Sequence, residues 1–260
     1  MSDDLKVEYS GAVATLTLDR PDSRNAIRLE MYRELPGLLR GIDDDPRVKV
    51  LVVRGAGTKA FAAGADISEF REVRADAESA RSYNEQVAAA EQALEGMAKP
   101  TAAMVHGYCV GGGCGLALAC DLRFCDTAAQ FAITPSKLGL VYSLESTRRL
   151  VDLVGPAQAK WILFSGERVD AQHALRTGLA DAVTEPGDLA EEVYGFAELV
   201  SGRAQYSVRA AKDIVRRIVA GQRRDDAETT ELRNASFDTE DYAEGVRAFL
   251  EKRAPEFTWS

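Results

Sequence analysis

The sequence predicts an α/β protein built as one large domain, because strand-like and helix-like segments alternate along most of the chain. The run VKVLVVRGAG at residues 48–57 is rich in β-branched side chains, as expected of a strand covered on both faces. The segment GGGCGLALACD at residues 111–121 is apolar all round and predicts a buried helix. Together these observations indicate a sheet enclosed by helices.

The N-terminal half supplies most of the predicted strands. VEYSGAVATLTLDRP predicts a hairpin that turns at Ser10-Gly11. Leucines and an isoleucine at helical spacing then predict a helix over 29–42, although Pro36 weakens its middle. A long amphipathic helix follows at 77–98.

The middle of the chain predicts three more strands and the buried helix, and the remainder is mostly helical. The strands are PTAAMVHG, LRFCD and AQFAI, and the last amphipathic helix is TEDYAEGVRAFLEKRAPEF. We divide the chain into a core at residues 1–200 and a C-terminal helical region at 201–260, with a soft boundary between them.

Composition limits the possible partners and locations. The chain has 260 residues and a formal net charge of −9, which disfavours a nucleic-acid surface. The apolar stretches are shorter than the roughly 20 residues of a membrane span, and MSDDLKVEYS lacks a leader pattern, so we expect a cytoplasmic protein without a membrane partner. The four cysteines match no disulfide or zinc spacing and predict small buried side chains. His106 and His173 are interpreted as structural, and no metal site is predicted.

Two segments place small residues where a backbone could approach a ligand: KAFAAGADISEF at 59–70 and HGYCVGGGCGLALACD at 106–121. The free N–H groups at the start of the glycine-led helix would suit an anion or a developing oxyanion. Close packing of helix on strand is the other explanation for the glycines. The pairing of the two segments favours a functional site.

These two segments, followed by SGERVDAQHALRTGLADAV and EGVRAFLEKRAPEF, closely resemble the enoyl-CoA hydratase/isomerase (crotonase) family over nearly the whole chain. The resemblance implies a crotonase-type ββα spiral core and a C-terminal helical region that mediates trimerisation, often as a dimer of trimers. It implies an acyl-CoA thioester as substrate, with coenzyme A as part of that substrate and no permanently bound cofactor.

Site residues follow from the same resemblance. The N–H groups of Ala65 and Gly112 would form an oxyanion hole for the thioester oxygen. The coenzyme A moiety would lie along Ala63, Ala65, Asp66 and Ile67 with Arg24 and Lys59 nearby, and Phe249 and Lys252 would come from a neighbouring subunit. Ser68 stands where hydratases of the family often carry a lysine.

The chain departs from the hydratases of the family at both general acid/base positions, because Gly115 and Pro135 stand where these enzymes carry glutamates. Decarboxylation of a malonyl- or methylmalonyl-type CoA ester needs only the oxyanion hole, since loss of carbon dioxide leaves the enolate directly. The spacing of Thr134 and Tyr142 resembles methylmalonyl-CoA decarboxylases, so Tyr142 would orient the substrate carboxylate with Thr134 as a lesser partner. Those decarboxylases carry a histidine where this chain has Ala65.

Two alternatives remain open. The first is an enoyl-CoA hydratase or double-bond isomerase that uses Glu145 as its acid/base, although a carboxylate in the first turn of a helix also complements the helix dipole. The second is a non-catalytic oligomer that binds CoA esters.

Overall fold

The computed structural model describes residues 3–258, which form ten strands, eleven α-helices and three short 3-10 helices. The strands are β1 (Leu5–Ser10), β2 (Val13–Leu18), β3 (Val50–Gly55), β4 (Ala60–Ala62), β5 (Thr101–Val105), β6 (Tyr108–Val110), β7 (Leu122–Asp126), β8 (Gln130–Ala132), β9 (Val169–Asp170) and β10 (Ala182–Thr184). The helices are α1 (Leu29–Asp44), α2 (Phe70–Val73), α3 (Ala77–Glu95), α4 (Gly112–Ala119), α5 (Pro135–Leu138), α6 (Leu144–Ser165), α7 (Ala171–Thr177), α8 (Leu189–Ser201), α9 (Gln205–Val219), α10 (Ala227–Ala235) and α11 (Glu240–Glu251).

The strands form two sheets, and the chain passes repeatedly from one to the other. The larger sheet has the order β1-β2-β3-β5-β7-β10, with an antiparallel hairpin at one edge and parallel pairing elsewhere. The smaller sheet has the order β4-β6-β8-β9. Each of β3, β5 and β7 is followed by a short strand of the smaller sheet and then by a helix. This repeated strand-strand-helix unit gives the α/β core its spiral form.

Both faces of the larger sheet are covered, as the β-branched run of β3 predicts. Leu51 and Val53 belong to the main core, which includes residues of α1, α3 and α4. Val50 and Val52 belong to a second apolar cluster that contains residues of α8. Successive side chains of β3 point to opposite faces of the sheet, so the strand packs against one helical layer on each side.

The cysteines and the glycine-led helix follow the prediction. All four cysteines are free and buried, and every residue of α4 from Gly113 to Ala119 is buried. A Cβ atom on Gly113 would lie 2.6 Å from the carbonyl oxygen of Ala62, so this glycine permits close packing on β4. The packing explanation for the glycines is thus correct for Gly113.

Some features differ from the expectations. Helix α1 passes through Pro36 without interruption. Strands β4, β6, β9 and β10 have only two or three residues each, and the sequence pattern did not indicate them. Helix α6 is broken at Gly155, whose φ of 75° is not helical. Strands of two or three residues are too short to show a period, so they could not be predicted from the sequence.

The C-terminal helices α9 and α11 leave several large apolar side chains exposed, among them Val215, Val219, Phe249 and Leu250. The predicted trimer remains a prediction, and so does the domain boundary near residue 200. Among the described residues, no helix combines the length and the apolar character needed to cross a membrane.

Candidate active site

A cavity of about 390 Å³ lies between the two small-residue segments. Its walls come from Tyr32 of α1, the loop at residues 63–67, helix α3, the turn at residues 110–112 and the segment at residues 134–146. The volume is within the range of small-molecule sites. The structure thus brings Ala65, Gly112, Thr134 and Tyr142 together, as the sequence analysis expected.

Two glycines allow the walls of this cavity to approach each other. Gly64 has a φ of 109° and Gly111 a φ of 53°, both in the region that favours glycine. A Cβ atom on Gly64 would lie 3.2 Å from the carbonyl oxygen of Val110, so a side chain there would separate the two segments. The conformation of both loops therefore depends on glycine at these positions.

Ala65 and Gly112 line the cavity from opposite segments. Gly112 is the first residue of α4, so its N–H has no partner within the helix. Two backbone hydrogen bonds join Ile27 to this loop. The Ile27 amide donates to the Gly64 carbonyl oxygen, and the Asp66 amide donates to the Ile27 carbonyl oxygen, so the Ala65 amide is not used. The ideal Cβ position of Gly112 is 3.7 Å from the Ala65 nitrogen. The two segments therefore approach closely, as an oxyanion hole with one donor from each segment requires.

Tyr142 and Thr134 both line the cavity. The Tyr142 hydroxyl is buried and has no hydrogen-bond partner among the described residues. Burial, with the nearby Glu91 carboxylate as a second cause, raises the pKa of Tyr142 well above its ordinary value. Tyr142 is therefore a neutral phenol that can bond to a bound molecule or to water.

Glu145 does not line the cavity. It is exposed in the first turn of α6, where the Gln92 side-chain amide donates to both carboxylate oxygens at 2.9 and 3.0 Å. This position fits a carboxylate that complements the start of a helix. A direct catalytic role for Glu145 would require its side chain to leave Gln92 and turn inward.

The residues expected beside coenzyme A divide into two groups. The first group consists of Arg24, Lys59, Ala63, Asp66 and Ile67. Ala63 and Ile67 line the cavity, and the amide of Ala63 donates to the carbonyl oxygen of Arg24. Lys59 is exposed one residue before β4. The second group, Phe249 and Lys252, lies at the end of α11 and outside the cavity of its own chain.

Asp66 has a structural role in addition to its place beside the cavity. Its carboxylate accepts hydrogen bonds from the Arg20 guanidinium at 2.8 Å and from the hydroxyl of Ser68 at 2.6 Å. Partial burial raises the pKa of Asp66, but the bonds from Ser68 and Arg20 outweigh it and leave the pKa below its ordinary value. Asp66 is thus an ionised residue that stabilises the loop carrying Ala65.

The sequence analysis missed Glu91, a residue of α3 that lines the cavity and is only 3% exposed. The Arg149 guanidinium and the Ser146 hydroxyl both donate to Oε2 of Glu91, at 2.6 and 2.7 Å. Burial raises the pKa of Glu91, although Ser146 and Arg149 oppose the rise. One signal was present in the sequence: Glu91 is four residues after Val87 and three before Leu94, within the apolar stripe of the helix.

The geometry defines a site for a molecule that develops negative charge on an oxygen, with a buried carboxyl group in the same cavity. Within residues 3–258, no cluster of three or more metal-ligating side chains occurs.

Comparisons with known proteins agree with this class of site. A family model described as Enoyl-CoA hydratase/isomerase matches residues 8–259. The chain is 33% identical over 255 residues to the crotonyl-CoA hydratase of Syntrophomonas wolfei, with 96% of each protein covered. It is 33% identical over 251 residues to the short-chain-enoyl-CoA hydratase of Clostridium acetobutylicum, with 95% of this chain and 94% of the relative covered.

A crystal structure from Hyphomonas neptunium, described as an enoyl-CoA hydratase/isomerase family protein, is also similar. It is 39% identical to this chain and superimposes with a TM-score of 0.96 over 99% of this chain and 98% of that one. The chain therefore belongs to the enoyl-CoA hydratase/isomerase family and is an enzyme with the α/β crotonase fold and C-terminal helices.

One expectation gains no support from these comparisons. They support the family, but they give no support to a methylmalonyl-CoA decarboxylase-like segment at residues 134–142. The relatives named above are hydratases, which favours the hydratase alternative over decarboxylation.

Proposed function

We propose that this chain catalyses the addition of water to a 2-enoyl-CoA thioester, giving the 3-hydroxyacyl-CoA. The observation that carries the proposal is that Ala65 and Gly112, on two closely approaching segments, line one cavity where their amides could both donate to the thioester oxygen. Addition of water at C3 moves electrons onto the thioester oxygen, which is where two fixed donors would act. The names of the two relatives support hydration in particular.

The two amides suit this reaction because they are held in place before the charge develops. Gly112 is fixed at the start of a buried helix, and Ala65 lies in a loop braced by Asp66 and Arg20. Removal of one such donor from an oxyanion hole typically costs about 3–4 kcal/mol of transition-state stabilisation. The reaction needs no cofactor beyond the coenzyme A of the substrate.

Binding of coenzyme A would use local cations, because the whole chain is acidic. We propose that Arg24 and Lys59 contact the phosphates near the cavity mouth. Phe249 and Lys252 could contribute only from another copy of the chain, since they lie outside the cavity of their own chain. A trimer or a dimer of trimers would supply such a copy.

Decarboxylation of a malonyl-type thioester is less compatible with the cavity. The Tyr142 hydroxyl could orient a substrate carboxylate, but Glu91 already places one carboxyl group there. A second carboxylate would meet charge repulsion in a poorly solvated space. Hydration avoids this conflict because a 2-enoyl group is uncharged.

The test is to incubate the purified protein with crotonyl-CoA, malonyl-CoA and methylmalonyl-CoA in parallel and to follow all products by mass spectrometry. We expect crotonyl-CoA to gain one water and the other two esters to remain unchanged. Loss of carbon dioxide from either dicarboxylic ester would overturn hydration as the main activity. Tight binding of all three esters without turnover would instead support a non-catalytic CoA-ester-binding protein.

A further inference from the structure

The side chain of Glu91 occupies the space that a side chain at position 115 would need. A Cβ atom built on Gly115 would overlap Oε1 of Glu91, and it would lie 3.5 Å from the Tyr142 hydroxyl. Any side chain at position 115 would therefore displace the carboxylate of Glu91. Glycine at 115 is thus a steric requirement of the glutamate at 91 in this conformation.

Position 115 is also close to the predicted oxyanion hole. Gly112 and Gly115 are three residues apart in α4, so they lie on the same face of the helix about 5 Å apart along its axis. The Oε1 atom of Glu91 is therefore about one helical turn from the Gly112 amide. A thioester whose oxygen is held at that amide has its C2 and C3 atoms within reach of a group at this distance.

The contacts of Glu91 distinguish its two carboxylate oxygens. Arg149 and Ser146 of α6 both bond to Oε2. The other oxygen, Oε1, is the atom beside Gly115. Arg149 is itself only 4% exposed, so the side chain of Glu91 is held on two sides by buried partners. Oε2 therefore anchors the carboxyl group, and Oε1 lies on the side of Gly115 and of Tyr142, which lines the cavity.

We propose that Glu91 is the catalytic acid/base of this enzyme, and that its carboxyl group, presented from α3, replaces the one that hydratases of the family carry at position 115 of α4. This inference rests on the proposed hydration. The sequence analysis found both family glutamates absent, whereas the structure provides one carboxyl group from a different helix.

A single carboxylate is enough for the reaction. Oε1 of Glu91 accepts a proton from water while the water oxygen forms a bond to C3. The C2–C3 π electrons move into the thioester, and the enolate oxygen bonds to the amides of Ala65 and Gly112. The Glu91 carboxylic acid then returns the proton to C2, the enolate electrons form the new C–H bond, and the carboxylate is restored.

Burial of Glu91 is consistent with this role, because a raised pKa brings a carboxyl group closer to the pH at which it exchanges protons efficiently. Glu95 provides a matched control. It is one turn further along α3 and bonds to the same Arg149 at 2.7 Å, but it does not line the cavity.

The test uses two single variants and two readouts. The readouts are the kcat for crotonyl-CoA hydration and deuterium incorporation at C2 of butyryl-CoA in D₂O, which reports proton transfer without hydration. We expect Glu91→Gln to lower both by about 10²–10⁴-fold, the usual contribution of a general acid/base. Glu95→Gln should change them by less than about twofold, because Glu95 does not line the cavity. Circular dichroism and butyryl-CoA binding would verify that both variants are folded.

Wild-type activity for Glu91→Gln would overturn the proposal, and so would equal losses in both variants, since the ion pairs with Arg149 would then be the cause. A double variant, Glu91→Ala with Gly115→Glu, gives a second test, and we expect it to recover C2 exchange relative to Glu91→Ala. A folded double variant that binds butyryl-CoA without exchange would contradict the equivalence of the two positions. If the wild type exchanges C2 protons but does not hydrate crotonyl-CoA, the proposed function fails while the role of Glu91 in proton transfer stands.

Discussion

Glu91 and Glu95 lie one turn apart on the same helix and bond to the same arginine, yet they have opposite properties. Glu91 faces the cavity, and burial raises its pKa. Glu95 lies away from the cavity and also bonds to Arg148. Burial raises the pKa of Glu95, but the bonds from Arg149 and Arg148 outweigh it and hold the pKa below its ordinary value.

The difference between the two glutamates comes from the degree of burial together with the number of arginine partners. Desolvation disfavours the charged form of an acid, and one arginine offsets this at Glu91 only in part. Glu95 retains more solvent and has a second arginine. One ion-pair cluster therefore contains a glutamate suited to proton transfer and another suited to structure.

The largest expected effect comes from removing the arginine that the two glutamates share. Arg149→Met leaves the buried Glu91 without its cation, and loss of one partner of a buried pair typically costs about 3–5 kcal/mol. We expect a corresponding decrease in the free energy of unfolding, measured in urea. Arg148→Met is the control, because Arg148 is 44% exposed and its pairs should contribute less than about 1 kcal/mol. Equal losses in the two variants would remove the distinction between the two sides of the cluster.

A smaller effect should appear in the pH dependence of stability. Both glutamates start from an ordinary pKa of 4.5 in the unfolded chain. Because the folded pKa of Glu91 is higher, the native state binds more protons just above pH 4.5, and the stability that Glu91 contributes falls as pH rises. Because the folded pKa of Glu95 is lower, the stability that it contributes is present above pH 4.5 and is lost as pH falls below it.

Urea unfolding of Glu91→Gln and Glu95→Gln at a series of pH values would measure this difference. Relative to the wild type, we expect Glu91→Gln to gain stability as pH rises above 4.5. We expect Glu95→Gln to gain relative stability as pH falls below 4.5. Parallel curves for the two variants would contradict the opposite pKa shifts.

The smallest effect is expected at the third glutamate of this region. Glu145 is exposed and bonds to Gln92, which also lies outside the cavity. Glu145→Gln should change kcat for crotonyl-CoA by less than about twofold, as is usual for exposed charges. Abolished hydration in a folded Glu145→Gln protein would identify Glu145 as the acid/base and would leave Glu91 as a structural residue.

Most of the fold could be predicted because its signals are local. The hairpin of β1 and β2, the long helices α1 and α3, and the buried helix α4 each contain enough residues to show a period or a continuous apolar run. AQFAI indicated β8, but the other strands of the smaller sheet, β4, β6 and β9, could not be predicted in this way. They have two or three residues each, and they exist because the larger sheet and the helices position them.

The candidate site also has a part that could be predicted from the sequence and a part that could not. Glycines and small residues in two segments indicated a backbone site around Ala65 and Gly112. Close approach of a backbone requires small residues, and these are visible in the sequence. No comparable local pattern shows where a single side chain will lie in the folded protein. Glu91 is one of 41 acidic residues, and only its place within the apolar stripe of α3 sets it apart.

The sequence by itself determined the α/β class, the principal helices and strands and the family, because hydrophobic periodicity and ordered motifs are properties of neighbouring residues. Only the tertiary structure decided which carboxyl group faces the cavity. The packing of α3 against α4 brings Glu91 beside Gly115, a residue 24 positions later in the chain. Desolvation in that packed interior, rather than any local pattern, is what raises the pKa of Glu91 above its ordinary value.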